Sequence, residues 1–400
     1  MKIKVGVIFG GETVEHEVSI ISAVQAMEHM NKDKYDIVPI YISKDRIWYT
    51  GKMLMDIDVY QDFKELKRYA KEVVLTKTKD GYVLQNTKGL FKRTIEEIDV
   101  AFPIVHGNNV EDGSIQGYLD SVGIPYVGSK VLGSALGQDK VVMKQVFKDA
   151  KLPIVDYTWF FDSEYADDCD KIFANVKKLG YPVVVKPATL GSSVGITFVK
   201  DEKALANAIE EAMKYDVKII VEKAVNNLVE VNCSVLGNYS YQDASVIEEV
   251  TTDEELLTFA DKYIGGSKGK LKGPSKGMAS ASRIIPARIS KDLEKSIKET
   301  SKEVFKVLNL SGVCRIDYLI DKKTNKYYVN EPNTIPGSLS FYLWEPTGKK
   351  YMDLLDELIT LSIKDYKNRA RKIYSFESNI LSNYGIKGAK GLKGVKKIHN

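Results

Sequence analysis

Histidine and cysteine are scarce. The 400 residues hold four histidines and three cysteines. Cys169, Cys233 and Cys314 lie far apart, form no C-x-x-C pair and have no histidine at metal-ligating spacing. A zinc site is not expected, and the thiols read as small, buried or partly buried side chains. Long apolar runs are missing too. The first, VGVIF, stops at Gly10-Gly11. It is too short for a membrane span or a signal-peptide core, and nothing later reaches span length. The chain therefore reads as cytoplasmic. No G-x-x-x-x-G-K-[ST] occurs, and GGETVE fails G-x-G-x-x-G, so neither common nucleotide fingerprint applies. Strong charge of one sign is also lacking. The net charge is +4, and five lysines with no acid follow Gly385, which leaves the rest near neutral. A folded basic face for nucleic acid is not expected.

What remains is an ordinary globular composition, 44% hydrophobic and 28% charged, long enough for two or three domains. IKVGVIF reads as a buried strand ending at a glycine turn. Val14, Val18, Ile21 and Val24 follow at helical spacing, and DIVPIYIS reads as the next strand. Strand, turn, helix, strand opens a βαβ unit with a parallel sheet. IDVAFPIVHG predicts another strand ending in glycine. DKVVMKQVFKDA, with its Asp start, predicts a helix that Leu152-Pro153 stops. From 182 to 250 strands dominate, interrupted by one helix, EKALANAIEEAMK. Residues 262–282 read as a long loop, and loops of that length in a compact domain are usually functional or disordered. Helices are expected at 291–308 and 352–370, and CRIDYLI and YYVNEPN read as strands joined by the polar turn DKKTNK.

Two patches carry chemistry. In VVVKPATLGSSVGI a lysine on a strand precedes a small, hydroxyl-rich loop and a second apolar run. Such a hairpin can fold over phosphates, with backbone N–H groups and hydroxyls as donors and Lys186 supplying charge; a plain surface hairpin is the alternative. In the second patch, Arg315 and Asp317 lie two apart on one strand, as do Glu331 and Asn333 on the next. Residues two apart share a strand face, so an antiparallel hairpin brings both pairs together. Two carboxylates side by side repel unless a cation offsets them. Magnesium, which takes hard oxygen ligands plus substrate phosphates, is one such cation, and Arg315 in a salt-bridge network is another.

GGETVEHEVSIISA, HGNNVEDGSIQG, VVVKPATLGSSVG, CRIDY and NEPNTIPG occur in this order. Together they resemble the D-alanine–D-alanine ligases of the ATP-grasp superfamily, over about residues 1–360. The resemblance implies three domains: an N-terminal parallel-sheet α/β domain (1–129), and central (130–225) and C-terminal (226–372) α+β domains gripping ATP. A lid loop would span 258–282, and a basic tail 373–400. It implies an ATP-dependent ligase that forms a peptide bond between two amino acids, D-alanine with D-alanine by default, through an acylphosphate. It implies small amino acid substrates, no nucleic acid, a homodimer, and a place in the cytoplasm building a peptidoglycan precursor for the cell wall.

By the same resemblance, Glu15 would hold the ammonium of the first amino acid; as an acid at a helix start it also suits the helix dipole. Lys140 and Lys186 would bind phosphates, and Ser192 or Ser193 would bond Glu15. Glu222 would face the adenine amino group, Ala224 and Val225 its edge, and Glu230 the ribose hydroxyls. Asp317, Glu331 and Asn333 would bind two Mg²⁺ ions, or Mn²⁺ in their place. Arg315 would stabilise the acylphosphate and the oxyanion that follows. His106 matches the family's active-site histidine, with Glu111 orienting neighbours. Lys262 and Tyr263 match the lid pair that excludes water; tyrosine there goes with an amine nucleophile.

Three departures stand out. The lid continues through Lys268, Lys270, Lys272 and Lys276. The tail adds lysines at a period that matches neither helix nor strand and reads as disordered. The stretch after Gly337, PGSLSFYLWEPTG, is shorter than the family's anchor for the second carboxylate, leaving Ser338 with Leu339, or Ser340 with Phe341, as substitutes. A paralogous ligase with a different second substrate is therefore the alternative. A non-catalytic nucleotide-binding regulator is a further one, although no member of the metal or lysine set is missing.

Overall fold

The computed structural model describes residues 2–251 and 283–375. Lys262, Tyr263, the lid and the tail from residue 376 lie outside the described residues. Strand Ile3–Gly10 lies within a seven-stranded sheet, parallel to Tyr35–Ile42 on one side and to Val100–Pro103 on the other. Parallel neighbours need a crossover, and helix His16–His29 supplies the first. Residues 5–10 are all buried, as suits a strand covered on both faces. Beyond Tyr35–Ile42 the sheet turns antiparallel, through Trp48–Thr50, Lys71–Lys77, Tyr82–Asn86 and Thr94–Ile98. The parallel pairing is thus confined to three strands.

The second sheet is antiparallel throughout and runs in the order Thr197–Val199, Val183–Pro187, Lys218–Lys223, Tyr157–Phe161. The third has the order Arg283–Ile284, Gln242–Val250, Leu228–Gly237, Gly312–Asp321, Lys326–Asn333 and is also antiparallel. Its last hairpin sets Arg315 opposite Asn333 and Asp317 opposite Glu331.

The cores join these units. Leu354, Leu355 and Leu358 of helix Tyr351–Ala370 share one buried cluster with the seven-stranded sheet. Each such leucine contributes about 1.5–3 kcal/mol relative to exposure. Met143 and Phe147 of helix Lys140–Asp149 pack with the five-stranded sheet. The four-stranded sheet keeps its own core around Val183, Val185 and Ile209. Cys233 and Cys314 are buried, but Cys169 is exposed. It opens helix Cys169–Leu179, whose inward face is Ile172 and Val176. No helix among the described residues is long and apolar enough to cross a membrane.

Candidate active site

The first strand ends in a turn that only glycine fits. Gly10 has φ +90°, and a Cβ there would lie 2.2 Å from the Ile42 carbonyl oxygen. Gly11 donates its N–H to that same oxygen at 2.7 Å, and His16 Nδ1 contacts the Gly11 carbonyl at 2.6 Å. The turn launches helix His16–His29 with Glu15 at its N-cap, yet the Glu15 side chain makes no cap hydrogen bond. It accepts instead from the Ser192 hydroxyl, on the glycine–serine loop of the central sheet. Both residues are buried. They line a small cavity together with His106, Lys140, Arg315 and Glu331.

His106 is buried, and its Nε2 lies 3.2 Å from Ser22 Oγ. Burial first, and the Arg315 charge after it, push its pKa down to about 4, against a hydrogen bond with the Ile335 backbone. It is therefore neutral at pH 7. Glu111 accepts from Gly107 N–H at 3.1 Å, Thr334 Oγ1 at 2.8 Å and Ile335 N–H at 2.9 Å. Burial, and then the charge of Glu15, raise its carboxyl to about 7 despite those donors.

A second cavity, of about 690 Å³, also reaches Glu331. Lys186, Ser193, Glu222, Ala224, Val225 and Glu230 all line it. The sequence-predicted nucleotide residues therefore converge, apart from Lys140, which lines the smaller cavity. Asp139 caps helix Lys140–Asp149 by accepting from Val141 and Val142 N–H, which places Lys140 at the helix's first position. Lys140 Nζ donates to the Leu190 carbonyl at 2.9 Å and pairs with Glu331 at 3.0 Å. Lys186 Nζ lies 2.6 Å from one Glu222 oxygen, and Lys144 Nζ lies 3.0 Å from the other. Lys144 is wholly buried. Burial alone would raise the Glu222 carboxyl, but the two lysines overcome it and bring it down to about 2. Lys144 sits one helical turn after Lys140, and the sequence reading did not single it out. Asn330, whose Oδ1 accepts from Lys186 at 3.3 Å, was likewise missed.

On the hairpin, Arg315 grips Asp317 with two hydrogen bonds, at 2.7 and 2.9 Å. Asn333 Nδ2 donates to Asp317 at 3.0 Å. The facing carboxylates are thus offset within the protein, Asp317 by Arg315 and Glu331 by Lys140. Strand register carries this polar row further: Asn232 pairs with Asp317, and Glu248 with Asn232. Neither was visible as a site residue in the sequence, because the register of non-consecutive strands is not.

Past Gly337, which lines the smaller cavity, Ser338, Leu339 and Ser340 are buried, and none of them lines it. All three have left-handed backbones, with φ of 51°, 53° and 49°. Such conformations cost about 1–2 kcal/mol each for L-residues and persist only where surroundings hold them. Here Ser338 N–H donates to Ser22 Oγ at 3.0 Å and Leu339 N–H to the Pro336 carbonyl at 2.8 Å.

Residues 4–129 match the family model described as D-ala D-ala ligase N-terminus, and residues 146–360 the one described as D-ala D-ala ligase C-terminus. A Thermosipho melanesiensis protein named D-alanine--D-alanine ligase is 39% identical over 383 residues, covering 95% of this chain and 98% of its own. One of the same name from Thermoanaerobacter pseudethanolicus is 38% identical over 375 residues, covering 93% and 99%. Among solved structures, the D-alanine-D-alanine ligase from Coxiella burnetii aligns with a TM-score of 0.76 and 27% identity, covering 92% of this chain and 96% of that one. The VanG D-Ala:D-Ser ligase from Enterococcus faecalis aligns with a TM-score of 0.74 and 31% identity, covering 90% and 100%.

Proposed function

The chain belongs to the D-alanine–D-alanine ligase family, and we propose that it joins two D-alanine molecules at the expense of ATP, giving D-alanyl-D-alanine. The observation that carries this reading is the contact of Glu15 with Ser192, in a cavity that meets the larger one at Glu331. It puts an ammonium-binding carboxylate beside the loop expected to cover the phosphates. Glu15 receives the ammonium of the first D-alanine. Lys140 and Lys186 hold the phosphates as the γ-phosphoryl group passes to that amino acid's carboxylate. The amine of the second D-alanine attacks the activated carbonyl, and phosphate leaves. Arg315 stabilises the charge that develops on oxygen, a preorganised donor in a site shielded from water. Neutral His106 orients groups by hydrogen bonding rather than by charge. Glu222, ionised between its lysines, accepts from the adenine amino group.

Asp317, Glu331 and Asn333 suit Mg²⁺ by their chemistry: two carboxylates and an amide, all hard oxygen donors, beside phosphate-binding lysines. When bound there, the ion would neutralise phosphate charge during transfer. We place the protein in the cytoplasm as a homodimer, acting in cell-wall synthesis, on its family membership.

The test is phosphate release from ATP with D-alanine and Mg²⁺, with the product's mass. Release with D-alanyl-D-alanine supports the reading; no release with any amino acid pair sinks it. A different second amino acid is the other reading, favoured by the burial of Ser338 to Ser340. Dipeptide formed only with another acceptor would select it.

A further inference from the structure

A second amino acid brings a carboxylate into a dry site, and a buried carboxylate needs a cation or strong donors. The serines of the shortened stretch are buried, and the Ser338 N–H is already held by Ser22. The other cations of this sheet face and its surroundings are engaged: Arg315 with Asp317, Lys140 with Glu331, Lys186 with Glu222. Arg283 differs. It pairs in register with Val250, two residues beyond Glu248, so it shares the face of Glu248, Asn232 and Asp317. Its guanidinium carbon lies 4.5 Å from the centre of the Tyr342 ring. Tyr342 belongs to the segment Gly337–Leu343, within the stretch where the anchor is expected.

Glu248 holds this arrangement together. It is 1% exposed. Its Oε1 accepts from Asn232 Nδ2 at 2.9 Å and from the Tyr342 hydroxyl at 3.0 Å. Its Oε2 makes no hydrogen bond among the described residues, and Arg283 Nη1 stands 3.5 Å away. That ion pair is too long to occupy the donor fork. The Arg283 side chain is 13% exposed, shielded but reachable. The guanidinium lies over the ring, a cation–π contact that restrains its position, and its planar fork matches a carboxylate edge. Asn232, which bonds Glu248, pairs in register with Asp317, and Arg315 grips Asp317, so the cluster adjoins the reacting centre.

We propose that Arg283, positioned by Glu248 and the Tyr342 ring, binds the α-carboxylate of the second amino acid. This rests on the ligase reading above. The two fail differently in one assay, with D-alanine as first substrate and either D-alanine or D-alaninamide as acceptor. D-alaninamide has no carboxylate to phosphorylate, so it serves only in the second position. In the wild type its KM should exceed the second-site KM of D-alanine by about tenfold to a hundredfold, the effect of losing a charged hydrogen-bond pair. Arg283→Met should raise the second-site KM for D-alanine by a similar factor and leave that for D-alaninamide in place. Glu248→Gln keeps an acceptor for Tyr342 but loses the charge facing Arg283, and should shift KM the same way by less.

Equal wild-type KM values for the two acceptors would overturn the anchor, and that comparison needs no variant to fold. So would an Arg283→Met penalty that is the same for both. No phosphate release with any acceptor would sink the ligase reading, and the anchor with it.

Discussion

Glu222→Gln is the substitution whose cost the structure sets most directly. The glutamate lies between two buried lysines, 2.6 Å from Lys186 and 3.0 Å from Lys144. Its carboxyl is held at about 2 against an ordinary 4.5. A depressed acid contributes stability that is fully present above its unfolded pKa and is lost as pH falls through the folded one. At 1.36 kcal/mol per pK unit, the shift amounts to about 3 kcal/mol at pH 7, fading between about 4.5 and 2. Glutamine keeps the shape and removes the charge, leaving two buried lysines without their anion. Lys144→Met is the control, since it leaves the shorter Glu222–Lys186 pair intact. Because Lys144 is one of the two lysines that hold the Glu222 carboxyl down while Lys186 still pairs with it, this variant should lose part of that stabilisation and less than Glu222→Gln. Urea unfolding followed through Trp159, on a strand of the same sheet, reads both variants where they act. A Glu222→Gln loss below 1 kcal/mol at pH 7, or one that stays constant down to pH 3, would refute the electrostatic account.

Other outcomes follow from the same geometry. Glu15→Gln should lower kcat/KM for the first D-alanine by about a hundredfold, the worth of a charged hydrogen bond; initial rates at varied D-alanine check it. Ser22→Ala removes the acceptor of Ser338 N–H and the contact of His106 Nε2. It should cost about 1–3 kcal/mol, read as a lowered Tm. Glu111 has a raised carboxyl, so its favourable contribution is complete below pH 4.5 and is lost as pH rises through about 7. Wild type should therefore lose stability relative to Glu111→Gln between pH 5 and pH 8, and parallel melting curves would contradict this. EDTA should abolish phosphate release, and Mg²⁺ or Mn²⁺ should restore it; activity that survives chelation would remove the metal from Asp317, Glu331 and Asn333.

Local pattern carried the hairpin but not its neighbours. Arg315, Asp317, Glu331 and Asn333 could be placed on one face because residues two apart share a face and a polar turn joins the strands. The same rule says nothing about which distant strand lies alongside. Asn232 and Glu248 therefore stayed hidden, although they extend that very row. The antiparallel strands of residues 71–98 were missed for a related reason. Lys71–Lys77 is partly exposed and alternating, a weaker signal than the buried run at Ile3–Gly10. Lys144 was legible in principle: a lysine one turn after Lys140 on a helix expected to pack. What made it chemistry was its burial opposite Glu222, a tertiary fact.

The anchor for the second amino acid shows why motif order outruns motif detail. Ordered motifs located the ligase face because each is a contiguous piece of backbone that must bend one way. The anchor we propose is not contiguous. Arg283, Glu248 and Tyr342 come from two strands and a turn, and a shortened turn moves the demand for a donor onto whichever strand lies opposite. The serines looked eligible in the sequence because serine is the residue type the role requires. The backbone buries them, with left-handed dihedrals that tuck the turn against Ser22. Residue type is legible in a sequence; the direction a side chain takes is settled by the neighbour across the sheet.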